Sequence, residues 1–234
     1  YVCKEITQFL IANYKADISS IVATSENEIY ELACDNRIPA YVYDANSNLV
    51  HKLPNSITLG ILAWWPLIIK EPLLSYPKNG FLNTHPSMLP HNRGKNPNVW
   101  SIVEQRPFGV SIHKINATVD TGPIVAQREI AYDWTDSGET LYKRALDETI
   151  SLFQDSYPAI RAGNVIEIQQ KEGGSFHLAK ELGPAGEINL DENYRARDLL
   201  NLLRALTFAN YPACYFSENG QTYEIRVKIT RKLK

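Results

Sequence analysis

The chain is poor in the features that announce a metal centre, a membrane span or a nucleic-acid surface. Its 234 residues hold three cysteines, Cys3, Cys34 and Cys214. They are odd in number, far apart and without metal-ligand spacing, which argues against a disulfide framework or a thiolate metal site. Reduced thiols in a cytoplasmic protein are the reading, with no metal expected. Positive charge is equally scarce: 24 Lys and Arg face 26 Asp and Glu, for a net charge of -2. No broad cationic surface is available for a phosphate backbone, so nucleic acid is not an expected partner. The longest apolar stretch, residues 57–69, is interrupted by Gly60, Trp64, Trp65 and Pro66. It falls short of the roughly 20 apolar residues a membrane helix needs, and no membrane partner is expected. No signal peptide and no low-complexity tract are visible.

What is present suits an ordinary globular chain, 44% hydrophobic and 21% charged, long enough for a large core. Residues 2–14 carry apolar side chains at helical spacing, and residues 21–25 read as a short buried strand. Ser25 with Glu28 three places on resembles a capping box for a helix reaching about Asn36. Pro39 closes that helix, and residues 40–43, 55–63 and 80–83 give further short apolar runs. Helices alternating with continuously apolar strands imply a parallel sheet covered on both faces, the α/β class. Residues 109–115 and 123–130 read as a strand pair, and residues 137–162 as a long amphipathic helix with Glu139 in its first turn. A doubly wound sheet normally opens on a strand, whereas this sequence opens inside a helix at Tyr1; a first strand upstream is therefore expected.

That unit ends near residue 165. Residues 166–234 read as a small extension: a turn at Gly173 and Gly174, a helix over 196–205, and strands 213–217 and 222–228 joined across Glu218-Asn219-Gly220. Asn-Gly between alternating runs is a strong hairpin signal. The extension is too short for a generous core of its own and is expected to pack on the main unit or on a second subunit.

Chemistry concentrates in residues 82–90, Leu-Asn-Thr-His-Pro-Ser-Met-Leu-Pro. A strand is expected to end at Asn83, bringing Asn83 and His85 to the edge where α/β sheets place their ligand crevice. Pro86 and Pro90 stiffen the loop behind them. The bland alternative is a histidine satisfied by a backbone carbonyl, with Asn83 as a turn residue. Asp120 lies between two strand candidates, with Gly122 permitting a tight bend; Asp-x-Gly turns are common, and alone this one says little.

Order and spacing together carry more. Asn83, His85, Pro86, Ser87, Leu89 and Pro90, followed by Asp120 and Gly122, resemble the signature of folate-dependent formyltransferases, with Met88 where that pattern has Leu. His113 matches a family histidine on the intervening strand. The resemblance covers about residues 20 to 160. It implies a Rossmann-like, mostly parallel sheet and transfer of a formyl group from 10-formyltetrahydrofolate to an amine. It also implies catalytic roles for Asn83, His85 and Asp120, and a pterin site formed by Leu62, Ala63, Trp64, Trp65, Pro66 and Val119.

A finer likeness follows. Residues 91–100, with Asn92, Arg93, Gly94, Lys95, Pro97 and Trp100, resemble a stretch of the nucleotide-sugar N-formyltransferases; Asn96 stands where that subgroup suggests His. The tail around Arg204, Tyr211 and Tyr215 is similar to the same subgroup. The likeness implies a dTDP-linked 4-amino-4,6-dideoxy sugar as acceptor, bound through Asn92, Arg93, Lys95, Arg204 and Tyr215, in a homodimer that serves O-antigen synthesis. For Arg93 and Lys95 a solvated basic loop stands as the alternative. The tail rings, Phe208, Tyr211, Tyr215, Phe216 and Tyr223, are open between base stacking and core or dimer contacts. Methionyl-tRNA or glycinamide ribonucleotide as acceptor, hydrolysis of the formyl donor, and a non-catalytic folate- or nucleotide-binding module are the competing readings.

Overall fold

The computed structural model describes residues 1–44 and 49–232. Helix α1 (Val2–Tyr14) buries Val2 and Ile6, and sets Phe9 edge-on against Phe153 and Tyr157. Strand β1 (Ile21–Ala23), helix α2 (Glu28–Asp35) and strand β2 (Ala40–Val42) follow, with β1 and β2 paired in parallel. The cap of α2 is Asn27, not Ser25: its side-chain oxygen accepts from the amides of Ile29 and Tyr30. Asn caps as well as Ser does, and starting at Glu28 turns Ile29 and Ala33 inward, where both are buried.

The sheet that carries the site has four strands. They are β3 (Gly60–Leu62), β4 (Phe81–His85), β6 (Gly109–Lys114) and β7 (Ile124–Glu129), adjacent in the order β3-β4-β6-β7. The β3–β4 pair is parallel; β4–β6 and β6–β7 are antiparallel. Between β4 and β6 lie the two-residue strand β5 (Arg93–Gly94) and helix α3 (Pro97–Val103). Helix α4 (Gly138–Arg161) begins at a capping box made by Ser137 and Thr140, and lays Leu141, Ala145, Leu152, Phe153 and Ile160 on the core face. There they join Phe108, Val110 and Ile112, all at most 1% exposed. At about 1.5–3 kcal/mol for each large apolar side chain buried, this layer is the main source of stability.

The C-terminal part comprises β8 (Phe176–His177), α5 (Leu182–Ala185), α6 (Ala196–Ala205) and the hairpin β9 (Cys214–Glu218) with β10 (Gln221–Ile225). Asn219 and Gly220 both take positive φ, 50° and 76°, as an Asn-Gly hairpin turn requires. This part shares the main core: Ile188, Ala205, Leu206 and Cys214 belong to the same buried cluster. A Cβ at Gly138 would collide with the Ala205 carbonyl, so the start of α4 approaches α6 as closely as glycine allows. No helix among the described residues is long and apolar enough to cross a membrane.

Candidate active site

Strand β4 runs on to His85 rather than stopping at Asn83. Asn83 and His85 are therefore two apart on one strand and project from the same face of the sheet. Asn83 lies opposite His113 of β6, and its Nδ2 is 3.4 Å from His113 Nε2. His113 donates Nδ1–H to the Lys114 carbonyl at 2.8 Å, which leaves Nε2 facing the site. Strand pairing thus brings His113, distant in sequence, into one row with Asn83 and His85.

Asp120 completes the row from the loop after β6. One carboxylate oxygen is 3.6 Å from His85 Nδ1 and accepts the Gly94 amide at 2.9 Å; the other is 3.4 Å from His113 Nε2. Gly122 is required by proximity rather than by an unusual φ: a Cβ there would run into the Lys114 carbonyl. The left-handed residue of the turn is Asp120 itself, at φ 53°.

Burial sets the charges. It holds the His85 imidazole below its ordinary value, with Asp120 pulling part of the way back and His113 adding to the depression. For Asp120 burial acts upward, but His85, His113 and the Gly94 amide outweigh it and hold the carboxyl at about 2. The neutral-pH state is an uncharged His85 beside an ionised Asp120. Both groups have folded values below their unfolded ones, so both stabilise the fold above the unfolded value and lose that contribution as pH falls. The melting temperature should therefore decline once pH drops below the ordinary imidazole value of 6.5. A second decline belongs below the ordinary carboxyl value of 3.8. In His85→Asn the first decline should flatten; thermal melts of both proteins from pH 7.5 to pH 5 check this, and parallel curves would contradict it.

From the loop 91–96, Gly94, Lys95 and Asn96 line the cavity beside this row. Asn92 is fully buried, with its amide donating to Glu104 at 2.9 Å and its Oδ1 accepting from Ser101 at 2.9 Å. The structure places its side chain in this buried network and outside the cavity, with its carbonyl 3.5 Å from His85 Nε2. Arg93 points its guanidinium at the carbonyls of Gly174 and Ser175 and does not line the cavity. Lys95 does line it, exposed and without an ion pair among the described residues. The two candidates in the tail, Arg204 and Tyr215, also lie away from this cavity. Arg204 is buried, donating to the carbonyls of Asp133 and Asp136 at 2.7 and 2.8 Å beneath Trp134. Tyr215 belongs to the hairpin and lies outside the cavity.

The cavity has a volume of about 850 Å³ and reaches Asn83, His85, His113 and Asp120. Leu62, Trp64, Trp65, Pro66 and Val119 line it; Ala63 instead faces a separate cavity of about 420 Å³ behind β3. Trp65 Nε1 is buried with no partner among the described residues, a donor left over in an apolar wall. Tyr142, Phe208 and Tyr211 supply a further aromatic side, with Trp64 edge-on to Tyr142 at 6.0 Å. Tyr142 escapes sequence reading because it looks like any other position of an amphipathic helix. The Gly94 amide escapes because a backbone donor has no residue signature.

Comparison with protein families decides what this arrangement belongs to: residues 12–156, more than half of the chain, match the formyl transferase family profile. The chain belongs to the formyl transferase family. Residues 181–231 match the N-formyltransferase dimerization C-terminal domain. Among relatives, a dTDP-4-amino-4,6-dideoxyglucose formyltransferase of Mycobacterium tuberculosis is 35% identical over 149 residues. That match spans 63% of this chain and 64% of the relative, less than two thirds of its length. A sugar N-formyltransferase from a Shewanella species superimposes with a TM-score of 0.78 over 99% of this chain and 95% of that one. At 22% identity it establishes the shared fold. A formyltransferase from Anoxybacillus kamchatkensis, solved with UDP-4,6-dideoxy-4-formamido-L-AltNAc and tetrahydrofolate, is 30% identical with a TM-score of 0.55. It covers 68% of this chain and 85% of its own.

Proposed function

We propose that the chain transfers the formyl group of 10-formyltetrahydrofolate to the amine of a nucleotide-linked 4-amino-4,6-dideoxy sugar, with dTDP as the nucleotide. The observation that carries this reading is the meeting of Asn83, His85 and Asp120 in the lining of a cavity of about 850 Å³. The names of the relatives support the substrate pair. The wall of Leu62, Trp64, Trp65, Pro66 and Val119 fits a pterin in being largely apolar and aromatic. We assign the product to surface glycans of the O-antigen type and the protein to the cytoplasm. Pairing of two copies is assigned to the C-terminal part, which exposes Leu190, Leu200 and Tyr223.

In the reaction the amine lone pair attacks the formyl carbon, and the bond from that carbon to the folate nitrogen breaks. Negative charge gathers on the formyl oxygen, where the Asn83 amide donates. The uncharged His85 is the proton acceptor. Asp120 draws the ring proton to Nδ1, which frees Nε2 to take the proton of the amine; the imidazolium then has Asp120 on one side and the Asn92 carbonyl on the other. The same proton passes to the departing folate nitrogen. His85 thus serves as a base first, rather than as a ready-charged donor to the oxyanion, because burial keeps it neutral.

Lys95 supplies a cation for the sugar nucleotide's diphosphate, on the loop that also carries the Asn92 carbonyl. Lys95→Ala should raise the KM for the sugar nucleotide by about tenfold, the loss of one charge-assisted contact, and leave kcat nearly unchanged. An unchanged KM would return Lys95 to a solvated loop. The acceptor itself is tested by supplying dTDP- and GDP-linked 4-amino sugars, glycinamide ribonucleotide and charged methionyl-tRNA side by side. Preference for glycinamide ribonucleotide or tRNA, or folate hydrolysis with no acceptor, would overturn the reading.

A further inference from the structure

The turn that carries Asp120 departs from ordinary backbone preference. Asp120 stands in the left-handed region at φ 53°, which residues with a Cβ seldom occupy, and Gly122 is pressed against β6. The segment 168–177 crosses this turn. Ile168 exchanges backbone hydrogen bonds with Ile124, both at 2.8 Å. Gln170 then donates from Nε2 to the Asp120 carbonyl and to the Gly122 carbonyl, each at 2.8 Å. The reverse orientation of the amide would set an oxygen against two acceptors, so the chemistry fixes which end is which.

Gln170 Oε1 is buried and has no partner among the described residues. A side chain that only filled space would be apolar and leave no orphaned atom; a pair of donors is needed where two carbonyls must be held. The same segment also holds the facing loop, since β8 pairs in parallel with β5 and thereby fixes Gly94. Both ends of the 2.9 Å bond from the Gly94 amide to Asp120 are therefore tied to one strap.

We infer that Gln170 is a positioning residue: it clamps the turn 120–122 so that the Asp120 carboxylate meets His85, His113 and the Gly94 amide together. Its bearing on catalysis rests on the formyl-transfer reading given above. The clamp itself is a geometric claim and has its own readout.

Gln170→Met keeps the length of the side chain and removes both donors. Hydrogen exchange at the Gly94 amide should speed up by about tenfold, while amides of α4 keep their protection. With 10-formyltetrahydrofolate and the dTDP-linked amino sugar, kcat should fall by about tenfold or more, with both KM values within about twofold. Gln170→Lys, whose ammonium brings donors back to the same carbonyls, should recover part of both properties. Unchanged Gly94 exchange with a kcat within about twofold in Gln170→Met would overturn the clamp, as would equal impairment of the Met and Lys variants. Where Gln170→Met does not fold, Gln170→Lys decides: near-native Gly94 exchange and turnover support the clamp, and their loss overturns it. A native protein that formylates no acceptor removes the functional reading alone, and the exchange comparison still decides the clamp.

Discussion

His85→Asn is expected to stay folded and to lose turnover by about 10²–10⁴-fold, the span that positioned acid–base groups contribute. The reason is local. Among the described residues His85 is the one imidazole that approaches both Asp120 and the Asn92 carbonyl, and burial keeps it uncharged at neutral pH and ready to take a proton. Asparagine keeps much of the shape and some hydrogen bonding, and it cannot accept and return a proton. The loss should fall on kcat, because the residue acts on the proton in transit and not on the resting substrates. The native enzyme's rate should also fall on the acid side of the profile at a pH below the ordinary imidazole value, since protonating His85 removes the base. A His85→Asn protein with near-native kcat would take His85 out of the reaction.

Asn83→Ala is expected to cost about 10²–10³-fold in kcat, equivalent to about 2.7–4 kcal/mol, the usual effect of removing one donor to a developing oxyanion. Asn83 sits between β3 and β6, opposite His113, so its backbone is fixed on both sides and its amide is aimed before substrate arrives. Asn83→Asp separates geometry from charge. It preserves the shape and places an anion where negative charge must gather, so it should be at least as damaging as alanine. Equal activity of Asn83→Asp and the native protein would show that the amide does not face the formyl oxygen.

These two residues were legible because they lie in one contiguous stretch, and strand β4 then delivers both to the same face. Asp120 was legible only through its order after His85; the turn holding it depends on the neighbouring Lys114 and on Gly94 and Gln170, which are remote in sequence. The hairpin was plain from Asn219-Gly220, since only a few residues tolerate its backbone. The loop 91–96 was legible only in part. A sequence shows that Asn92 is polar and sits among charges, and it does not show that Glu104, Ser101 and Ser175 close around it. Arg204 shows the same limit: its burial against two backbone carbonyls comes from the tertiary fold and has no signature in one dimension. Side chains whose positions follow from strand pairing were placed from the sequence, and those whose positions follow from tertiary burial were not.

The central claim is transfer of one formyl group from a folate to a sugar-linked amine at Asn83, His85 and Asp120. The most direct test is to incubate the purified protein with 10-formyltetrahydrofolate and a dTDP-linked 4-amino-4,6-dideoxy sugar and to follow both products. Mass spectrometry reports the sugar nucleotide, and absorbance reports tetrahydrofolate. The account predicts a formamido sugar nucleotide and tetrahydrofolate appearing in equal amounts, both slowed by about 10²–10⁴-fold in His85→Asn. Tetrahydrofolate released without any formylated sugar, or an amino sugar recovered unchanged, would contradict it.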